Sequence, residues 1–356
     1  MMLFITLILI LFLIVLSLFI QHLVKSKSIL ASSDENILNS FAMITSDWYI
    51  EPWYSSGGGS VNNWDINLMD DWYSKNPIIC SGIGEYSGIP ICLLRSALDN
   101  FSKGVAKEQR LLFFTGDILS HDNKPNLTKS VVMKKIFDGV LNYFFHNNIF
   151  YAVGDFWQDD TVRQAWAQSL VNNNIYIPRG PDDIFWDTGY YKKLIPNSTI
   201  YVICFNSILY SDLSTHSKCT DCTEKQQKQI NQLKKDLDSL KPENTVYILY
   251  HSKLLEQQFI WNMIGTSYQN RISGIITSDK SNPLNSLDSW SISNEENAYT
   301  WNIPSIYWSY NNLFPGKLVS SYISVPFNIN VPLVLAETDV HKTICQHKNL
   351  NFSWTN

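Results

Sequence analysis

Two apolar runs in this 356-residue chain each end by delivering a carboxylate. In "LLFFTGDILSHD" the run Leu111–Thr115 passes into Gly116 and Asp117. In "YAVGDFWQDD" the run that began at Ile149 ends at Val153 and passes into Gly154 and Asp155. Short apolar runs of this length read as buried strands, and a glycine stops each one. Hard oxygen donors delivered side by side are what a divalent cation requires. Three more runs end on a polar group: Phe41–Thr45 at Ser46 and Asp47, "NTVYILYH" at His251, and "RISGIITSDKS" near Ser278, just before Asp279. Singly, each of these is an ordinary turn or helix-capping acid, or a hydrogen-bonded imidazole. Together, Asp47, Asp117, Asp155, His251 and Asp279 point to a site. Against a complete one, Phe156 and Trp157 follow Asp155, and neither binds a metal.

The elements that must carry these residues alternate. Helical spacing is expected over Leu93–Phe101, over Val131–Phe145 through Val132, Ile136, Val140 and Phe144, and near 161–171. Thr199–Phe205 reads as a further strand. The clearest helix is "TEKQQKQINQLKKDLDSL", with Thr223 and Gln226 expected as a capping box and Ile230, Leu233, Leu237 and Leu240 as one apolar stripe. That stripe reads as ordinary core packing. "SGGGS" (56–60) is a flexible loop. Beyond Pro304 the pattern is β-rich, at Ser305–Tyr310, Leu318–Val325 and Val331–Leu335. Alternation of this kind implies an α/β fold, and ligands in open α/β sheets sit outside the carboxyl ends of the strands.

The bulk numbers bound the answer. With 45% hydrophobic and 17% charged residues the chain can bury a large core, and its net charge of −5 gives no case for nucleic-acid binding. Met1 to Ile20 is almost unbroken Leu, Ile, Phe and Val, long enough at about 1.5 Å per residue to span a bilayer core. Residues 1–27 therefore read as a signal peptide or a membrane anchor, an N-terminal apolar helix either cleaved near Ala31 or retained. Residues 28–40 read as a linker, 41–340 as the main domain and 341–356 as a C-terminal tail. Lys25 and Lys27 by themselves favour a cytoplasmic flank. The acceptor triplets at Asn126, Asn197 and Asn351 favour the secretory pathway, with a luminal, extracellular or membrane-anchored product. Six cysteines fit an oxidising compartment. Cys80 and Cys92 flank a Gly-rich loop and are disulfide candidates, as are Cys219 and Cys222, for which two free thiols are the other reading. Cys204 reads as a buried thiol, and Cys345 has no evident partner.

The ordered motifs resemble those of acid-sphingomyelinase-like phosphodiesterases, in the calcineurin-like metallophosphoesterase superfamily. "SDWYIEPWY" (46–54) is similar to their D-x-H-x-D-P-x-Y, and "TGDILSHD" to T-G-D-x-x-x-H-D. "YAVGDFW" stands at their G-N-H, "VYILYHSKLL" at their H-x-P-P-G strand, and "ISGIITSDKS" at their G-H-T-H stretch. "GEYSGIPICLLRSAL" and "IPSIYWSYNNLFPGKL" resemble two noncatalytic segments. The match runs in order over about residues 41–325. It implies a four-layer α-β-β-α sandwich of two facing mixed sheets. It also implies a two-cation phosphodiester hydrolase, in which paired metals clamp the phosphoryl group and activate water.

Carried over residue by residue, the resemblance implies a reduced site. Asp47, Asp117 and His251 match. Tyr49 stands for a ligand His, Phe156 for an acid His, Asp155 for Asn, and Asp279, Lys280 and Ser281 for H-T-H when aligned on Gly274. His121 survives as a candidate acid. Asp47 remains from the first ion's ligands. The second ion could keep Asp117, Asp155, His251 and Asp279, a set suited to Mg²⁺, Mn²⁺ or Ca²⁺ better than Zn²⁺. The cofactor expectation is therefore at most one divalent cation, or none, with Lys253 and Lys280 supplying the replacement charge. The functional expectation is a pseudoenzyme with a binding or structural role. The alternatives are an impaired single-metal phosphodiesterase acting on sphingomyelin- or nucleotide-like diesters, and a structural subunit of a membrane complex. Expected partners are the membrane, through an uncleaved N-terminal segment, and a protein of unknown identity.

Overall fold

The computed structural model describes residues 40–46, 48–50, 91–119, 126–154, 160–180, 183–210, 221–252, 268 and 272–278, together with strands at 293–295, 298–303, 309–310, 318–327 and 341–346. These form a mixed α/β fold with two sheets.

The first sheet contains β1 (Ser40–Thr45), β2 (Arg110–Thr115) and β3 (Ile149–Ala152) as parallel neighbours. Helices α1 (Ile91–Phe101) and α2 (Asn126–Val140) make the two crossovers that parallel pairing demands. The sheet continues from β1 through antiparallel β11 (Leu318–Phe327) to β10 (Ser309–Tyr310), and β12 (His341–Gln346) also pairs with β11. Residues 341–346, read above as part of a tail, thus belong to the sheet. Their apolar content is low, and β11 supplies the pairing edge that sequence periodicity cannot show.

The second sheet runs β4 (Tyr191–Leu194), β5 (Ile200–Cys204), β6 (Thr245–Ser252), β7 (Ile272–Ser278), β9 (Ala298–Ile303), β8 (Ser293–Glu295). Its four central strands are parallel and its two edges antiparallel. Strand alternation splits its side chains between two cores. Val202, Cys204, Tyr247, Leu249 and Ile276 share one core with the first sheet, α1, α2, α3 (Asp160–Asn172) and Phe185 of the short helix α4 (Phe185–Thr188). Ile203, Val246, Ile248 and Ile275 turn the other way, onto Ile230, Leu233, Leu237 and Leu240. Those four residues are the predicted stripe, carried by α5 (Cys222–Asp238) and the turn after it.

The sheets are also tied edge to edge. Tyr191 Oη accepts from the Tyr151 N–H at 2.8 Å and donates to the Tyr151 carbonyl at 3.0 Å, satisfying the open edge of β3. Lys193 Nζ donates to the carbonyls of His146, Ile149 and Ile175 at 2.8, 3.1 and 2.7 Å. Burial pulls that ammonium down to about 7.

Two expectations about local structure change. The capping box at Thr223 and Gln226 does not form: the N-cap is Asp221, with no side-chain cap bond, and Thr223 lies exposed inside the helix. Gln226 Nε2 donates instead to the Leu209 carbonyl, an acceptor brought in by the preceding single-turn helix Ser207–Tyr210. The helix expected over Val131–Phe145 spans Asn126–Val140. Its end tightens through i→i−3 bonds, Asn142 N–H to Gly139 O at 3.1 Å and Tyr143 N–H to Val140 O at 2.9 Å. Phe144 still reaches the core.

Candidate functional site

Strand ends from both sheets meet at Asp117 and His251. Asp117 follows β2 and is 2% exposed; His251 lies near the end of β6 and is fully buried. Their facing atoms, His251 Nε2 and Asp117 Oδ2, are 3.9 Å apart.

Three local features hold this pair. First, His251 Nδ1 lies 2.9 Å from the Thr115 carbonyl. A carbonyl can only accept, so Nδ1 carries a proton, and in the neutral ring Nε2 presents its lone pair toward Asp117. Second, His251 sits in a register break. Tyr250 pairs with Thr277 and Ser252 with Ser278, leaving no residue of β7 opposite His251. Such a bulge re-aims one side chain. Third, Gly154 lies against the carboxylate. A Cβ on Gly154 would stand 1.8 Å from Asp117 Oδ1 and 2.8 Å from the Asp117 nitrogen, so no residue larger than glycine fits without displacing Asp117.

The segment after β1 is fastened to the same strand end. Ser46 Oγ donates to the Thr115 carbonyl at 2.8 Å. The Asp117 carbonyl accepts from Trp48 N–H at 2.7 Å and Tyr49 N–H at 3.3 Å, and Ile50 N–H reaches the Ile118 carbonyl at 2.7 Å. Trp48 stacks on Phe114, ring centroids 4.0 Å apart. Tyr49 adopts φ 44°, a left-handed conformation that costs a bulky side chain of order 1–3 kcal/mol. The position where the resemblance implies a ligand His is therefore strained and held by the Asp117 strand end.

Of the predicted site residues, Asp117 and His251 are brought together and Tyr49 lies beside them along the backbone. Asp47, His121, Asp155, Phe156, Lys253, Asp279, Lys280 and Ser281 lie outside the described residues, as do Cys80, Cys219 and Asn351. Their described neighbours are Ser46, Trp48, Gly154, Ser252 and Ser278. Cys92 and Asn126 fall in α1 and at the start of α2, Cys222 opens α5, and Asn197 is exposed in the turn between β4 and β5. Cys204 is a buried free thiol, as expected. Among the described residues no helix is long and apolar enough to cross a membrane, and no three His, Cys, Asp or Glu side chains cluster as a metal site. Residues 1–27 lie outside them.

Thr115 and Gly154 were missed as site residues. Nothing in the sequence marks the Thr115 carbonyl, which is a backbone group. Gly154 was visible, but only as a strand stop; its recurrence in "TGD" and "VGD" was the available signal.

Asp117 and His251 are the described site residues that could hold a divalent cation. Two acceptors 3.9 Å apart are beyond hydrogen-bond range, while two metal–ligand bonds of about 2.1 Å each would span that gap. A ligand imidazole whose far nitrogen donates to a backbone carbonyl is the usual second-sphere arrangement. A protonated His251 facing the carboxylate would satisfy the same geometry.

No protein-family model matches the chain, and no curated protein matches it. Among solved structures it is similar to the crystal structure of a conserved uncharacterized protein, a predicted phosphoesterase, from Streptococcus pneumoniae TIGR4. The identity is 8%, the TM-score 0.28, and the alignment covers 86% of this chain and 97% of that one. A superposition this loose carries no functional argument.

Proposed function

We propose that this chain is a degenerate metallophosphoesterase-like protein of the four-layer kind, related in motif order to acid-sphingomyelinase-like phosphodiesterases, and that it works by binding rather than by hydrolysis. The observation that carries the reading is the buried meeting of Asp117 and His251 from different sheets, with Gly154 packed on the carboxylate. A turn acid and a stray core histidine have no reason to converge there. Asp117 and His251 would hold one divalent cation, with Asp155 and Asp279 as further ligands and Asp47 as a remnant of a second set. Such an ion would polarise a phosphoryl oxygen and lower the pKa of a bound water. Tyr49, Phe156 and Ser281 stand where two-metal chemistry requires His, so this chain's residues support holding a phosphate-like group better than turning it over. If turnover survives, His121 is the proton donor. With no cation, Lys253 and Lys280 would balance the acids.

The N-terminal apolar segment and the three sequons support a secretory-pathway location, membrane-anchored if the segment is retained. The Cys80/Cys92 and Cys219/Cys222 bridges and glycans at Asn126, Asn197 and Asn351 are part of the same proposal. Elemental analysis of the purified full chain, followed by a chromogenic phosphodiester assay on the same sample, tests it. The expected result is no more than one Mn²⁺ or Mg²⁺ per chain, lost in Asp117→Asn, with no turnover. Turnover abolished by Asp117→Asn would instead establish the single-metal phosphodiesterase.

A further inference from the structure

At the β4 edge of the second sheet lies a pocket of about 400 Å³. It opens between β4, the stretch around Arg179 and the last turns of α5, and its wall includes Tyr176, Arg179, Lys192, Lys235 and Asp236. Lys192 pairs in register with Ile203, which faces α5, whereas His251 faces the first sheet, so the pocket is separate from the strand-end site.

The charges in the wall divide unequally. The two acids that line it among the described residues, Asp236 and Asp183, are already engaged. Asp236, 4% exposed, accepts from Tyr190 Oη at 2.8 Å and pairs with Lys192 Nζ at 2.7 Å. Asp183 accepts from Tyr176 Oη, from the Arg179 backbone N–H at 2.7 Å and from the Phe185 N–H at 2.9 Å. Lys192 is spent on Asp236 and on Ser239 Oγ at 3.2 Å. Arg179 and Lys235 are not. Among the described residues the Arg179 guanidinium makes one hydrogen bond, Nη2 to the Lys192 carbonyl at 3.3 Å, and stands 4.0 Å from Asp236. Lys235 Nζ has no hydrogen bond or ion pair among the described residues. A concave site therefore combines a buried, self-neutralised floor, phenol walls and two cations with donors to spare. Its volume is in the lower part of the range for small-molecule pockets, about 300–1,000 Å³.

We infer that this pocket binds a small organic anion, a phosphate ester or a carboxylate, held by the Arg179 fork and the Lys235 ammonium over the Lys192–Asp236 pair. Arginine presents parallel N–H donors matched to either oxyanion, and a lysine beside it adds a point charge. The site does not depend on the metal reading.

Calorimetric titration of the full chain in detergent with inorganic phosphate, adenosine monophosphate and malonate tests the assignment. The expected result is saturable one-to-one binding of at least one probe. Arg179→Gln and Lys235→Gln should each weaken it about tenfold or more, the size expected for losing a charge-assisted bond. Arg179→Lys should weaken it less. Lys134→Gln, on the remote helix α2, should leave it unchanged. Tighter phosphate or nucleotide binding assigns the ester, and tighter malonate binding the carboxylate. Absence of saturable binding, binding that survives the Arg179→Gln/Lys235→Gln double change, or binding lost only in Asp117→Asn would each overturn it.

Discussion

The two nitrogens of His251 have different partners, and that asymmetry organises the site. Nδ1 is held by the Thr115 carbonyl, so Nε2 is aimed at Asp117. The carboxylate is in turn trapped by Gly154, whose lack of a side chain is a steric requirement rather than a turn preference. Gly154→Ala should therefore act on Asp117. The overlap forces either the carboxylate or the end of β3 to move, at a cost of about 1–3 kcal/mol for an overpacked site. The expected outcome is a lower urea midpoint, together with weaker Mn²⁺ binding than the wild-type chain. A variant of unchanged midpoint would mean that Asp117 is free to swing. The position of His251 was legible in the sequence because a strand run stops there. The bulge that aims it, and the carbonyl that fixes its tautomer, are backbone features with no residue signature.

Helix α5 separates what periodicity can and cannot foresee. Its apolar stripe was legible because burial repeats at the helical period and needs no knowledge of the partner. Its expected capping box was not formed, because Gln226 found the Leu209 carbonyl in a different segment. The two features predict opposite mutational results. Leu237→Ala removes a fully buried side chain from the α5–sheet core and should cost about 2–5 kcal/mol. Thr223→Ala should change stability by less than about 0.5 kcal/mol, since its exposed side chain caps nothing. Urea unfolding of both variants checks the contrast; a loss near 1 kcal/mol at Thr223 would restore the cap. The strand edges make a parallel case. Tyr191→Phe keeps the ring but strips the Tyr151 N–H and carbonyl of their partner, and leaving such groups buried costs about 1–3 kcal/mol. The same unfolding measurement should register that loss.

For the molecule as a whole, groups buried in both cores set the alkaline limit of stability. Burial pushes the Cys204 thiol up to about 12 and raises the phenols of Tyr176, Tyr190, Tyr191, Tyr210 and Tyr250 above their ordinary value. Each is an acid that ionises more readily in the unfolded chain. Stability falls once pH exceeds the unfolded values, 9.0 for Cys204 and 10.0 for the tyrosines, because the unfolded state then holds fewer protons. Lys193 opposes this. Burial lowers it from 10.5 to about 7, so its cost, present in full below pH 7, is relieved as pH rises through that window. One lysine against six acids leaves a net loss. The urea midpoint should fall steeply between about pH 9 and 11. Cys204 should resist iodoacetamide at pH 8 in the folded chain and label on unfolding, as peptide mass spectrometry would show.

The α/β alternation, the core stripe of α5 and the strand ends where polar groups emerge are all legible along the chain. Each of these depends on local periodicity and on where apolar runs stop. That β2 and β6, from different sheets and 136 residues apart at Thr115 and His251, face each other closely enough to pair an acid with an imidazole is a property of the assembled fold. The fold likewise makes glycine a requirement at position 154, and it engages the acids of the second pocket in bonds within the protein while two of its cations keep donors to spare. These are consequences of packing between segments remote in the chain, where the spacing of residues along the sequence carries no information about distance.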